Sequence, residues 1–359
     1  MSAVLTLSNI SKSYGGKPAV RAIDIAIPAD SYVSVLGASG SGKTTLLRLI
    51  AGFEEPETGQ IAFDGRRIDG TPAHERGIGF VFQTFALFPH LNVRDNVAFG
   101  LANRTIAPVT DKAEIDRRVA ETIAMVGLTG LERRSVTQIS GGQRQRVALA
   151  RTLVTEPKLV LLDEPLGALD AHLRARMRDE LRQIRKSLGV TFLHVTGSES
   201  EALAMGDRLI VLDDGTIGQF DAPKTIYAAP ASPGVARYLN AYNLLKGERR
   251  DDRFVSEVGT FPVTRQSIKS STAGGVYALR HDRIAVRDAA APGSAEEIMV
   301  PAKFIASEYG GASVLSFFAL DNGQIVEVEE HLSLGAPKTF ERDARYGLAW
   351  KPGDALVYA

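Results

Sequence analysis

The chain contains no cysteine. That absence excludes disulfides, thiolate metal centres and cysteine nucleophiles, and it fits a reducing compartment. Net charge is missing too: 42 basic side chains balance 42 acidic ones, so no bulk field draws the chain toward nucleic acid or an anionic membrane. No apolar run approaches the ~18 residues of a bilayer-crossing helix, so any membrane role is expected to be borrowed from partners. The opening segment MSAVLTLSNISKSYGG lacks the cationic and long apolar regions of a secretory signal. What is present is 359 residues, 44% of them apolar, enough for two or three domains with real cores.

From about residue 4 to 240, short β-rich runs alternate with helical segments. Ser31–Leu36, Leu159–Leu162 and Thr191–Thr196 are continuously apolar or nearly so, which predicts strands buried on both faces of a parallel sheet. Between Thr84 and Ser140 the pattern is mostly helical, most clearly over Lys112–Val126, and predicts an inserted helical subdomain at about 84–150. Over Asp170–Gly189, Leu173, Met177, Leu181, Ile184 and Leu188 recur at helical spacing and predict a core-facing stripe. The opposite face carries Arg174, Arg176, Arg178, Arg182 and Arg185 among acids, a solvated face rather than a nucleic-acid stripe. Past residue 240 the runs Gly275–Leu279, Ile298–Ala306, Ser313–Ala319 and Gln324–Glu329 predict a separate all-β domain, 241–359. Asp321-Asn322-Gly323 between two of them signals a hairpin, with positive φ expected at both Asn322 and Gly323.

Two motifs carry chemistry. Gly37-Ala38-Ser39-Gly40-Ser41-Gly42-Lys43-Thr44, followed by Thr45, fits G-x4-G-K-[ST] between a strand and a helix. Glycines there let backbone N–H groups wrap phosphate oxygens at a helix N-terminus. Lys43 is expected to reach the β- and γ-phosphates and the Thr44 hydroxyl to ligate Mg²⁺. Leu159–Leu162 followed by Asp163-Glu164 has the form of a Walker B strand, Asp163 serving the metal shell and Glu164 polarising the attacking water.

Ser140-Gly141-Gly142-Gln143, continued by Arg144-Gln145-Arg146-Val147-Ala148-Leu149-Ala150-Arg151, resembles the signature of ABC ATPases, with Ile139 where that family usually has leucine. Tyr14 matches the adenine-stacking aromatic, Gln83 the Q-loop glutamine that also reaches the metal, and Ala168-Leu169-Asp170 the D-loop. The resemblance covers residues 4–240 strongly. It implies an α/β P-loop ABC ATPase core with a helical subdomain, followed by a barrel-like OB/TOBE-type β domain. It implies ATP and Mg²⁺ as cofactors, catalysis by Glu164, Gln83 and Lys43, and a head-to-tail dimer, presumed a homodimer, in which each signature closes on the other subunit's nucleotide.

The stretch Gln83-Thr84-Phe85-Ala86-Leu87-Phe88-Pro89-His90, running on to Asn96 and Val97, resembles the groove of importer ATPases that receives two permeases' coupling helices. With no fused membrane span, the chain resembles subunits of bacterial importers for sugars, polyamines and ferric iron. Tyr238–Leu245 favours the polyamine branch, and the tail segment Tyr277–Asp282 is similar to the family's I-R-P-E piece with His281 in place of proline. The implied place is the cytoplasmic face of the bacterial inner membrane, held there by permeases, with a solute-binding protein as an indirect partner and no nucleic acid. One position departs. Where the family has the histidine of a V-T-H-D run, Val195-Thr196-Gly197-Ser198 carries Gly197, and His194 lies three residues earlier on what is expected to be the other face. Slower hydrolysis is the expectation. A soluble ABC ATPase and a weakly hydrolysing regulatory cassette stay open as alternatives.

Overall fold

Two glycines fold the first strands onto each other. β1 (Ala3–Tyr14) and β2 (Lys17–Pro28) form an antiparallel hairpin whose two-residue turn, Gly15-Gly16, sits at φ 55 and 78; such a turn needs positive φ twice. The computed structural model describes residues 3–103, 108–167, 169–269, 275–289, 296–336 and 338–359; Ala168 of the expected D-loop lies outside them. The chain divides into two compact units, Met1–Ile226 and Tyr227–Ala359.

In the first unit, β3 (Tyr32–Leu36) runs through the glycine-rich loop into α1 (Lys43–Ala51). β4 (Thr58–Phe63) and β5 (Arg66–Arg67) complete a sheet in the order β2-β1-β4-β5. β6 (Gly79–Val81) leads to three helices, α2 (Val93–Ala102), α3 (Lys112–Met125) and α4 (Gly141–Leu153). Then come β7 (Leu159–Asp163), α5 (Ala171–Leu188), β8 (Thr191–Thr196), α6 (Glu199–Met205), β9 (Arg208–Asp213) and β10 (Thr216–Asp221). The central sheet has the order β10-β9-β3-β8-β7-β6, parallel throughout except for β10.

The three apolar runs are neighbours at its centre, and their side chains alternate between two cores. Tyr32, Val160, Leu162 and Phe192 join the cluster formed with α2 to α5. Val33, Val35, Leu159, Leu161, Leu193 and Val195 join the cluster formed with α1 and the β1–β2–β4 sheet. A parallel strand covered on both faces is apolar at nearly every position, which is why these runs show no alternation.

On α5, Met177, Leu181 and Ile184 are buried, but Leu188 is 41% exposed, so the expected stripe stops one turn short. Leu188 is the last helical residue before Gly189, which turns the chain away at φ 62. Of the arginines, Arg176 faces Glu180 on the solvated face expected, but Arg174 faces the buried Glu201, and Arg185, facing Asp207, is only 15% exposed, so that face is solvated only in part.

The second unit carries two antiparallel-rich sheets around one core. Phe254, Phe261, Tyr277 and Trp350 pack ring against ring, and the indole Nε1–H of Trp350 donates to the Tyr277 hydroxyl at 3.0 Å. Strands Ser313–Ala319 and Ile325–His331 pair as expected, with Ala319 opposite Ile325. The turn differs in kind: Gly323 is at φ 82 while Asn322 is not in the left-handed region, and Gly323 N–H donates to the Leu320 carbonyl. A three-residue loop with glycine last needs only one positive φ.

Candidate active site

The phosphate loop depends on two close approaches. A Cβ on Gly37 would come within 2.5 Å of the Leu212 carbonyl oxygen, and one on Gly42, at φ 95, would collide with the Ala19 carbonyl. Only glycine fits either place. α2 to α6 each begin with a side-chain cap, from Asn92, Asp111, Ser140, Asp170 and Ser198. α1 begins at Gly42 with none and with no acid in its first turn. Its leading N–H groups thus lack the intramolecular acceptor the other helices have, the condition for an anion site. Lys43 is buried beneath the loop, and its Nζ donates to the Gly37 and Ala38 carbonyls at 2.8 Å each. Burial lowers its pKa, partly offset by Glu164 and Asp163.

At the same end of the sheet as Lys43, the Thr44 hydroxyl donates to Asp163 Oδ1 at 3.3 Å. Burial raises the Asp163 pKa, while Thr44 and the nearby cations pull it down. A hydroxyl beside a carboxylate is an oxygen donor pair suited to a hard divalent cation. Gln83 Nε2 donates to Glu164 Oε2 at 3.0 Å. Glu164 itself sits at φ 45, with its N–H on the Val195 carbonyl. Tyr14, 45% exposed, lies beside Thr45 and Glu54, with Lys12 Nζ 5.7 Å from its ring centre. The structure therefore brings Tyr14, the loop Gly37–Thr45, Gln83, Asp163 and Glu164 to one end of the sheet.

The signature residues stand apart. Ser140 Oγ accepts from Gln143 N–H at 3.3 Å and Gln143 Oε1 accepts from Ser140 N–H at 2.9 Å, a closed capping box at the start of α4. Among the described residues no hydrogen bond joins Ser140–Gln143 to the phosphate loop. A Cβ on Gly142 would press to 2.8 Å from a Leu173 methyl, so a larger residue there would have to move that side chain on α5.

The segment after Gln83 splits its apolar side chains. Phe85 turns inward at φ 63, Leu87 and Phe88 are half-buried and Pro89 is exposed, while Phe82 just before Gln83 and Phe99 on α2 are 37% and 38% exposed. The expectation that Phe85 joins a surface patch is therefore corrected: the left-handed residues Phe85 and Ala86 rotate its ring into the helical core. Asn96, fully buried, fixes the loop by bonding both the N–H and carbonyl of Phe88 and the carbonyls of Leu91 and Asn92. Arg151 donates to the Phe85 and Ala86 carbonyls. Phe53, Phe80 and Phe82 form a second aromatic group, with centroids 4.5 to 5.6 Å apart.

At the end of β8, Gly197 is open: a Cβ there would meet nothing within 4 Å. His194 is fully buried, its Nδ1 3.0 Å from the Tyr32 hydroxyl, and burial pushes its pKa down to about 3. It is a neutral core residue. Two acids in this segment escaped the sequence reading. Ser198-x-x-Glu201 has the form of a capping box, yet the Glu201 carboxylate turns back to Thr196 at 2.8 Å. Glu199 is half-buried, and burial pushes its pKa up to about 7.

The family model described as ABC transporter matches residues 20–167. The spermidine/putrescine import ATP-binding protein PotA of Mesoplasma florum is 45% identical over 243 residues, 68% of this chain and 68% of that one. Its counterpart from Clostridium novyi is 42% identical over 256 residues, 71% and 73% of the two chains. Among solved structures, an ATP-binding cassette captured as a post-hydrolysis dimer with ADP and phosphate covers 61% of this chain and 98% of its own, at 31% identity and TM-score 0.55. The cbiO1 protein of Clostridium perfringens, part of the transporter complex cbiONQ, covers 67% and 95% at 29% identity and TM-score 0.58.

Proposed function

The chain belongs to the ABC transporter family as an import-type ATP-binding subunit, and from that premise we propose that it powers polyamine uptake by ATP-driven closure of two cassettes beneath two permeases. The observation that carries the reading is the uncapped, glycine-framed start of α1 set against the Thr44–Asp163 and Gln83–Glu164 pairs.

In this reading the loop amides and Lys43 hold the β- and γ-phosphates, and Tyr14 stacks on the adenine. Thr44, Asp163 and Gln83 would hold Mg²⁺. The metal supplies charge neutralisation on the phosphates. Glu164 orients the attacking water, and Gln83 orients Glu164. Ser140, Gly141, Gly142 and Gln143 serve a second copy's nucleotide rather than their own, which fits their separation from the phosphate loop. The exposed ring of Phe99, packed on Phe88 in the loop pinned by Asn96, supplies an apolar surface for a permease helix. Among the described residues no helix is long and apolar enough to cross a membrane, so attachment to the membrane through permeases is part of the proposal. The polyamine assignment is supported by the similarity to the PotA relatives, which are spermidine/putrescine import proteins.

Uptake of labelled spermidine by cells, with and without Lys43→Ala, tests the function. Loss of uptake in the variant is expected, together with loss of Mg²⁺-dependent ATP hydrolysis by the purified chain. Unchanged spermidine uptake alongside abolished ATPase would overturn the solute. A second reading, a weakly hydrolysing regulatory cassette, is favoured by Gly197 alone. ATP turnover by the assembled transporter separates the two.

A further inference from the structure

The segment after β8 has no side chain at Gly197, yet its neighbours are tied down. Thr196 Oγ1 donates to Glu201 Oε2 at 2.8 Å and accepts from Ser198 N–H at 2.9 Å. Glu201 is 3% exposed, and its other oxygen faces Arg174 Nε at 3.4 Å. That Nε–H is not aligned as a hydrogen bond, but Arg174 Nη2 donates to the Leu169 carbonyl at 2.9 Å. Leu169 N–H returns to the Leu166 carbonyl, Gly167 N–H to the Glu164 carbonyl, and Glu164 N–H to the Val195 carbonyl. These contacts form a ring that leaves β8 at Thr196, crosses Glu201 and Arg174, follows the turn back to Glu164, and re-enters β8 at Val195.

A buried carboxylate is retained only where its partners hold it. Glu201 has two, and they sit on different elements: the β8 end and α5. Glu164 is held inside the ring at φ 45, a conformation a non-glycine residue keeps only when its surroundings fix it. We propose that Glu201 is a positioning residue for hydrolysis, joining the β8 end to Leu169, Leu166 and Gly167 through Arg174 and so fixing the carboxylate of Glu164. It touches neither nucleotide nor metal. The inference rests on the reading of Glu164 as the group that orients water.

The test compares Glu201→Gln, Arg174→Met and the double variant with the parent chain, by ATP turnover and by amide hydrogen exchange. Each single change is expected to lower kcat about tenfold, with KM for ATP within about twofold. The double variant should be no slower than either single one, because both break one ring. Exchange at Gly167, Leu169 and Ser198 should accelerate together in every variant, by about tenfold. Additive rate losses, a KM rising in step with the fall in kcat, or faster exchange at Ser198 alone would overturn the proposal. If Glu201→Gln does not fold, Arg174→Met and Thr196→Val carry the same comparison. Hydrogen exchange does not depend on turnover, so a parent chain that fails to hydrolyse ATP would count against the function while exchange still decides the ring.

Discussion

The side-chain amide of Gln83 donates to the Glu164 carboxylate at 3.0 Å, joining the end of the β6 segment to the end of β7. Glu164 is thereby held from two sides, by Gln83 at its carboxylate and by Val195 at its N–H. Its φ of 45° is a strain on the order of 1 kcal/mol for a non-glycine residue. Replacing Glu164 with Gln keeps the shape and removes the base. Hydrolysis should fall by about a hundredfold or more, while binding of a fluorescent ATP analogue changes little. A parallel loss of binding would show that Glu164 shapes the pocket instead.

Gly197→His should raise turnover. The site has room for a side chain, and its backbone lies outside the left-handed region. A histidine there would add one hydrogen-bonding group near the reacting phosphate, for a gain of about tenfold in steady-state ATPase of the assembled transporter. No gain would sink the idea that this glycine limits the rate.

Glu199 gives a pH-dependent prediction. Burial raises its pKa from 4.5 to about 7, so the folded chain holds that proton more tightly than the unfolded one. Its contribution is fully present below the unfolded value and is lost as pH rises through the folded one. Glu199→Gln should therefore raise Tm at pH 8 by a few degrees, ~3 °C. The advantage should vanish below pH ~4.5, near the ordinary glutamate value. Thermal melts at the two pH values decide it.

His194 behaves in the opposite sense. Burial lowers its pKa from 6.5 to about 3, so below the ordinary value the unfolded chain takes up a proton that the folded chain refuses. Stability is expected to fall as pH drops through that window, by up to ~1.4 kcal/mol per pH unit for this one group. His194→Leu should flatten the acid limb. At neutral pH it should cost about 1–3 kcal/mol, because the Tyr32 hydroxyl loses its nitrogen partner. Urea unfolding at pH 7.5 and 5.0 gives both numbers.

The fold was legible where burial is symmetrical. β3, β7 and β8 are apolar nearly from end to end because both faces meet a core, and such runs announce themselves. The phosphate loop was equally plain, since Gly37 and Gly42 answer steric demands that no other residue meets. What stayed hidden depends on contacts distant in sequence. Phe85 looks like its surface neighbours until its positive φ turns it inward. Ser198 caps α6, but that the Glu201 carboxylate goes to Thr196 instead of closing a capping box shows only in the fold. Asn96 is an ordinary helix residue in sequence, and only the fold shows that one amide fixes a whole loop.

The capping box of α4 bears on the speed of assembly. Ser140 and Gln143 satisfy each other, so the α4 terminus is already hydrogen-bonded in the single chain. The Gly141 and Gly142 N–H groups take no part in that exchange among the described residues. A phosphate presented by a second cassette could be engaged without first breaking any bond at this terminus. Association through this surface should then be limited by encounter and orientation, in the ~10⁵–10⁷ M⁻¹s⁻¹ range of preformed interfaces, and the lifetime of the pair should be set by how long the nucleotide stays whole.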